Sequence, residues 1–342
     1  MGFDPVTNLL DLASTLDGDA VVLTREPGEG GATIDYSLTR VGVDGAVAWK
    51  RVVGTFPVAP YSDPSLTVTK NGTIVVLFPM HFDVGSVAGR PLCGGNCGAL
   101  LRLGPDGEEL GEVKELSGVF PGLIVADGDA LVLRIDYPPQ QVMHVSEAGA
   151  VDWVVPRSTT DPNPPHWNGL AADDSHHVYA AGAQGAAGVV QRIEPGGTLD
   201  WGTATANGAV HVAASGGQVL VTTSCQSGCS TSLTAFDASG ATRWVVSSPG
   251  TRVAVDDIGN AYTFGSDSWW GVDSFDSTGK ERWKWPEPGR SNTQSQQGTC
   301  ALLLAVRAPD DFYVASTACA AAQAQLGAGS GGWLLSRVQP AR

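Results

Sequence analysis

A glycine and a tryptophan separated by three residues recur along this chain, and that recurrence limits the fold more than any other feature. Gly-x-x-x-Trp appears as Gly45–Trp49, Gly149–Trp153, Gly197–Trp201, Gly240–Trp244 and Gly279–Trp283. A sixth copy, Gly107 to Gly111, keeps the first glycine and lacks the tryptophan. After Trp153 the Trp-to-Trp steps are 48, 43 and 39 residues, and the 104 residues from Trp49 to Trp153 make two units with a long insertion. A period near 40 residues marks a solenoid, an array or a propeller.

Each unit opens with an apolar run, a turn and a second run. Leu123 to Leu133, Leu170 to Ala180 and Val253 to Thr263 are the clearest copies. Asp-Gly, Asn-Gly and Gly-Asn pairs tolerate positive φ and mark hairpins. A third strand follows, such as Val189 to Ile193, and a fourth carries the tryptophan. Four antiparallel strands per unit is the propeller-blade signature. Seven openings, near Leu12, Leu66, Leu123, Leu170, His211, Val253 and Leu303, predict an all-β seven-bladed propeller in a single domain over 1–342. The blades fall at 12–54, 65–116, 120–156, 167–204, 208–248, 251–286 and 299–342 plus 1–8. Leu334 to Val338 aligns with the third strands, so the last blade lacks its fourth within this chain. A sheet edge invites pairing, so the N-terminal segment is expected to close the ring. Phe3, ten residues before Ala13 as Trp201 is before His211, takes the tryptophan's place.

The stretch Asp256 to Trp283, with Asp-x-x-Gly-Asn-x-Tyr…Phe-Asp-x-x-Gly-x-x-x-Trp, resembles the bacterial SBBP-type propeller repeat. It is also similar to the repeats of the pyrroloquinoline-quinone (PQQ) dehydrogenase-like superfamily. The resemblance implies that each blade-end tryptophan docks between neighbouring blades. It describes packing and implies a class of functions, from quinoprotein enzymes to surface scaffolds and assembly factors. Many of those enzymes carry adjacent cysteines beside the cofactor. No Cys-Cys occurs here, so PQQ is not expected and no cofactor is predicted.

Composition excludes other classes. The net charge of −15 argues against a nucleic-acid partner. No run of 18 apolar residues is present, so no transmembrane segment is expected. Met1-Gly2-Phe3-Asp4-Pro5 lacks the basic start and apolar run of a signal peptide. Gly-x-Ser-x-Gly, His-Glu-x-x-His and phosphate-binding glycine loops are absent.

Six cysteines form three pairs on spacing. Cys93/Cys97 and Cys225/Cys229 each share a loop between second and third strands. Cys300 and Cys319 face one another if their hairpin turns at Pro309-Asp310. Three disulfides imply an oxidising compartment, hence an exported protein (secreted, periplasmic or on the outer surface) whose signal segment is absent from this chain. Zinc is the rival, but the two Cys-x-x-x-Cys pairs sit on blades 2 and 5, nearly opposite across the ring.

The loops bearing these cysteines share a face with the long insertions Pro79 to Gly98, Pro156 to Trp167, Pro286 to Thr299 and Ala318 to Gly332. Long loops on a rigid scaffold carry function. Candidate ligand contacts there are Trp269 and Trp270 in the middle loop of blade 6, and His166 and Trp167 in the link before blade 4. His81, Asp83 and Tyr137 join them, with Tyr61, Asp63, Arg134 and Asp136. His211 stands on the inner strand of blade 5, where other blades have leucine or valine. Asp17/Asp19, Asp127/Asp129, Asp173/Asp174, Asp256/Asp257 and Asp310/Asp311 offer calcium oxygens, but their recurrence at one turn favours turn chemistry. Arg40, Arg102, His144, Arg192 and Arg337 recur on the third strand and read as a solvated column.

These readings make the chain a monomeric, non-enzymatic binding module for a protein or glycan of the cell envelope. A carbohydrate-active or quinoprotein-like enzyme with its site at the propeller mouth is the alternative. A scaffold within an envelope complex, using a blade rim, is the third.

Overall fold

The computed structural model describes residues 8–57, 63–80, 85–91, 97–117, 120–137, 140–156, 165–185, 187–205, 208–224, 231–248, 250–266, 269–285, 302–317 and 333–339. Blade 1 comprises β1 (Asn8–Ser14), β2 (Ala20–Pro27), β3 (Ile34–Val41) and β4 (Val47–Phe56). Blade 2 has β5 (Ser65–Val68) and β6 (Ile74–Met80), the small strands β7 (Ser86–Val87) and β8 (Arg90–Pro91), then β9 (Cys97–Leu103) and β10 (Lys114–Ser117). Blade 3 runs β11 (Phe120–Asp127), β12 (Ala130–Tyr137), β13 (Gln141–Val145), β14 (Val151–Pro156). Blade 4 runs β15 (His166–Ala172), β16 (Val178–Gln184), β17 (Ala187–Ile193), β18 (Leu199–Thr205). Blade 5 runs β19 (Gly208–Ser215), β20 (Gln218–Ser224), β21 (Ser232–Asp237), β22 (Thr242–Ser247). Blade 6 runs β23 (Arg252–Val255), β24 (Ala261–Ser266), β25 (Trp269–Phe275), β26 (Glu281–Trp285). Blade 7 holds β27 (Leu302–Ala308), β28 (Asp311–Thr317) and β29 (Trp333–Val338). All pair antiparallel in sequence order, apart from the small β7–β8 hairpin. This is a seven-bladed propeller.

Burial explains the sequence pattern. Second strands are covered on both faces by adjoining blades, so Ala20–Leu23 and Ile74–Leu77 are fully buried and read as unbroken apolar runs. Outer strands such as β22 alternate exposed and half-buried residues. Among the described residues the core is divided into seven apolar clusters at the blade interfaces, among them Val132, Val178 and Trp167 between blades 3 and 4. Leu9, Leu12, Leu303 and Tyr313 pack blade 7 on blade 1. Ser14 Oγ donates to Val306 O at 3.0 Å and Tyr313 OH to Gly18 O at 2.6 Å across the same seam.

The Gly-x-x-x-Trp repeat turns out to be half of a contact made between blades. Trp49, Trp153, Trp201 and Trp244 donate Nε1–H to Pro105, Pro195, Ala238 and Ser277 carbonyls, at 2.8–3.0 Å, in the last turn of the following blade. Each indole lies over that turn's glycine. A Cβ on Gly240 would stand 2.8 Å from Trp201. Trp283 instead donates to Asp310 Oδ1 at 2.9 Å and stacks on Phe312.

The third-strand cations correct the expectation of a solvated column. Arg40, only 7% exposed, donates to Pro105 O, and Arg192 to Ala238 O, the same carbonyls that their cross-strand tryptophans use. Blade 2 has no tryptophan, and there Arg102 takes over, donating to Glu147 O and Ser146 O. An indole is larger than this replacement, and a cavity of about 140 Å³ remains among Thr69, Val75, Arg102, Leu110 and Leu131. The turn aspartates are likewise committed: Asp173 Oδ1 accepts from Ser175 and His177 amides, and Asp256 Oδ1 from Ile258 and Asn260 amides.

Three further expectations change. Trp269 and Trp270 begin β25 and belong to a strand, because Trp269 pairs with Ser266 of β24; their side chains lie outside the described residues. The described part of the last hairpin sets Val306 against Phe312 and Leu302 against Ser316, one place off the register assumed for Cys300 and Cys319, which lie outside the described residues. Part of the Pro79 to Gly98 insertion pads the rim of blade 1: β7 pairs with β4, and Val87 is fully buried. Cys93, Cys225, Cys229, Cys300, Cys319, Tyr61, His81, Asp83, the Tyr137 side chain and the closing segment 1–7 lie outside the described residues.

Asp273 on β25 is 1% exposed, and among the described residues its Oδ1 has no hydrogen-bond partner. Burial raises its pKa from 3.8 to about 6, with Lys284 opposing. The folded protein therefore holds this proton more tightly than the unfolded chain does. The group's contribution is most favourable below the unfolded value and is lost as pH rises through the folded one. Asp273→Asn should stabilise the protein at pH 7.5 by on the order of 2 kcal/mol and change little at pH 4. Urea titrations at both pH values measure this, and equal effects at both would sink it.

Candidate functional site

Each inner strand begins at the end of the ring that carries the blade links and the loops between second and third strands. A residue is bulged out near this end of four inner strands: Leu10, Gly122, Asn168 and Val210. Bulges re-aim side chains, and several polar groups gather just beyond them.

The best-ordered part spans blades 3 and 4. Arg134 Nε and Nη2 donate to the two oxygens of Asp136 at 2.7 and 3.0 Å, and Nη1 donates to Asn168 O at 2.5 Å. Gly122 makes room for this pair, since a Cβ there would fall 1.9 Å from Asp136 Oδ2. Gln140, buried between the blades, acts as a substitute strand. Its Nε2 donates to Trp167 O at 2.9 Å, and its Oε1 accepts from Trp167 N at 2.8 Å. Asn168 Nδ2 reaches Ala209 O on blade 5 at 3.0 Å, and Asn168 Oδ1 lies 3.3 Å from His166 Nδ1. Backbone clamps on both sides therefore fix the exposed His166 and Asn168.

Three ionisable groups from other blades occupy one level of the inner ring. Asp11 faces Leu23, His211 faces Thr222 and Arg252 faces Phe264, at matching places in their hairpins. The buried residue that follows each is Leu12, Val212 or Val253. His211 therefore does not replace an apolar column residue; Val212 fills that column, and His211 sits one place nearer the mouth. Asp11 accepts from the Leu66 amide of blade 2 at 2.8 Å and from Leu12 N at 2.9 Å. Burial nonetheless pushes Asp11 up to about 6, with the charge of Arg252 opposing. Burial, then the charges of Arg252 and Arg134, push His211 down to about 4. It is a neutral imidazole at pH 7. Burial also lowers the Arg252 pKa, with Asp11 opposing.

The structure thus brings His166, His211, Arg134 and Asp136 to one end of the ring. Trp167 is 1% exposed and packs in the core between blades 3 and 4, its Nε1 donating to Gln191 Oε1 at 3.1 Å. It positions the mouth from behind and presents no free face. Asp63 is drawn to blade 1 by Arg25, at 3.0 Å. Sequence reasoning missed Asp11, Gln140 and Arg252; a polar residue one place before the buried inner-strand residue would have flagged Asp11 and Arg252. Among the described residues no cluster of three His, Cys, Asp or Glu could hold a metal.

No family model and no curated protein sequence matches this chain. Solved structures do. A chain of the mitotic checkpoint complex matches all of this chain and 94% of its own length at 10% identity, with a TM-score of 0.62. Virginiamycin B lyase from Staphylococcus aureus matches 99% of this chain and 98% of its own, at 9% identity and a TM-score of 0.58. YCF48 bound to a peptide matches all of this chain and 94% of its own, at 11% identity and a TM-score of 0.54. At these identities the likeness establishes the propeller fold.

Proposed function

We propose that this chain is an exported binding propeller that engages a protein partner at the mouth formed by the inner-strand starts. One observation carries the reading: Asp11, Arg134, Asn168, His211 and Arg252, from five blades, meet at one end of a ring whose blades are locked by indole and guanidinium contacts. A preorganised surface loses little freedom on binding, and propeller mouths suit pockets that mix apolar walls with a few polar groups. The peptide on YCF48 belongs to that protein, but it is a precedent for what the fold can host. Export rests on the even cysteine count and on Cys97, buried at the start of β9, where no free thiol occurs among the described residues. The reading invokes no cofactor, and a glycan is the competing ligand.

The test is capture from an envelope extract by three forms of the chain. A protein retained by wild type and by the rim variant Val245→Ser, and lost from His166→Ala/Asn168→Ala, supports the mouth. Equal retention by all three overturns it, and loss only from the rim variant favours the scaffold reading. Catalysis is the second reading. His211 on the inner strand of blade 5 is the titratable group it would use, although burial pushes it down to about 4 and leaves it a weak base at pH 7. Turnover of a captured ligand that His211→Gln abolishes would establish an enzyme.

The proposal includes ring closure. Among the described residues the outer edge of β29 has no partner strand, and nothing lies within 4 Å of a Cβ built on Gly45, the socket that blade 7 should fill. Val41, Val43, Tyr313, Leu335 and Arg337 line a cavity of about 80 Å³ there. Phe3 precedes Asp11 by the same eight residues that separate Trp244 from Arg252. The ten-residue spacing to Ala13 falls away, because His211 aligns with Asp11; Phe3 matches the length of the link into blade 6 and not the ten-residue link from Trp201 into blade 5. Residues 1–6 are then the fourth strand and Phe3 fills the socket.

A further inference from the structure

The arginines among the described residues are paired almost without exception. Arg25, Arg40, Arg51, Arg90, Arg134, Arg192, Arg282, Arg307 and Arg337 each meet a carboxylate. Arg102 donates to two carbonyls and Arg243 to Gln218 Oε1. Arg252 is the exception. Among the described residues its half-buried side chain, on an innermost strand, has no ion pair within 4.0 Å and no hydrogen bond, and burial lowers its pKa. A guanidinium has five N–H donors in a planar fork. A half-buried guanidinium keeps part of its hydration, and an incoming planar anion can replace that water with a matched pair of hydrogen bonds.

Asp11 does not complete it. Its carboxylate accepts from two backbone amides, and its pull on Arg252 is felt only at a distance. Arg134 is already matched by Asp136. His211 lies within electrostatic reach of both arginines. Together the ring level offers one uncompensated planar cation beside one neutral imidazole, whose N–H can donate once more.

We infer that Arg252 and His211 form an oxyanion site at the channel mouth that takes a carboxylate of the bound partner. A carboxylate matches the guanidinium fork with two parallel hydrogen bonds. A single uncompensated cation suits a monoanion; a phosphate dianion would need a second free cation, which Arg134 is not. The inference rests on the binding reading and names the group that reading would recognise.

The experiment titrates the whole chain at pH 7 with acetate, and separately with inorganic phosphate, following the His211 ring resonances and the melting temperature. The resonance is assigned by its loss in His211→Gln. Saturable acetate binding is expected to shift the His211 signal and raise the melting point by mass action. Phosphate should bind at least tenfold more weakly. Arg252→Gln should weaken acetate at least tenfold, and in anion-free buffer it should melt no lower than wild type, because it removes an unpartnered charge. An Arg252→Gln protein that melts clearly lower has lost a structural partner, which overturns the site, as does wild type with no saturable response to acetate. Phosphate binding tighter than acetate overturns the carboxylate assignment. If acetate binds as expected while extract capture ignores His166→Ala/Asn168→Ala, the anion site stands and the partner-binding reading falls. If capture depends on the mouth but acetate does nothing, the reverse holds.

Discussion

Gly240→Ala is expected to destabilise the ring by about 3 kcal/mol, and Gly45→Ala is the comparison that gives that loss its meaning. Both glycines have φ of +82°, so alanine at either meets the same backbone strain, about 1 kcal/mol. Only Gly240 lies under an indole, with its would-be Cβ 2.8 Å from the Trp201 ring. Alanine there must push Trp201 off its seat. That breaks the 3.0 Å bond from Nε1 to Ala238 O and loosens the one from Thr203 Oγ1 to Gly240 O. Each hydrogen bond is worth about 1 kcal/mol. Urea midpoints with an unchanged slope give the two losses. If Phe3 fills the socket over Gly45, that variant loses nearly as much as Gly240→Ala, and Phe3→Ala loses a comparable amount. A strain-only loss at Gly45, together with no effect of removing residues 1–7, would refute the closure. Small, equal losses at both glycines would refute the docking account altogether.

Gln140→Leu should cost about 3 kcal/mol for a different reason. Leucine fills similar volume, so packing changes little. The Trp167 N–H and C=O, both held by the Gln140 amide, would be left unpaired at a buried seam. An unsatisfied buried backbone group costs roughly 1–3 kcal/mol. Trp167→Phe is the control for the backbone: it keeps the clamp and loses the bond to Gln191, about 1 kcal/mol, together with the packing of the buried indole's second ring. The mouth should respond too. Because Arg134 grips Asn168 O one residue further on, Gln140→Leu should broaden the His166 ring resonances while leaving those of His144, stacked on Trp153, unchanged. A Gln140→Leu protein as stable as wild type would mean that water satisfies the Trp167 backbone.

How far the site could be read in advance differs by residue. His166 was recognisable because it closes a proline-rich link and falls on a blade's first strand. Trp167, its neighbour, looked equally available, yet strand alternation turns it into the core, and a sequence does not say which of two adjacent residues a bulge at Asn168 will send outward. On sequence alone His211 reads as a polar intruder among leucines, whereas the bulge at Val210 moves the register by one and leaves Val212 in the apolar column. Nothing in the sequence singles out Arg252, since an arginine at a strand start ordinarily reaches solvent. The third-strand arginines were misjudged for the complementary reason. Their regular recurrence was visible, but the carbonyls they reach belong to the next blade.

What the chain's sequence determined by itself was everything encoded within one repeat: strand and turn order, the number of blades, the glycine that needs positive φ and the tryptophan placed four residues after it. These are local properties, because side-chain alternation and turn geometry act over a few residues. Only the tertiary structure decided that the glycine of one blade is the seat for the tryptophan of the blade before it, that Arg102 replaces the missing indole of blade 2, and that Asp11, His211 and Arg252 share one level of the inner ring. Those relations join residues far apart in the chain. They are set by the angle and register at which whole blades pack face to face, which no single repeat contains.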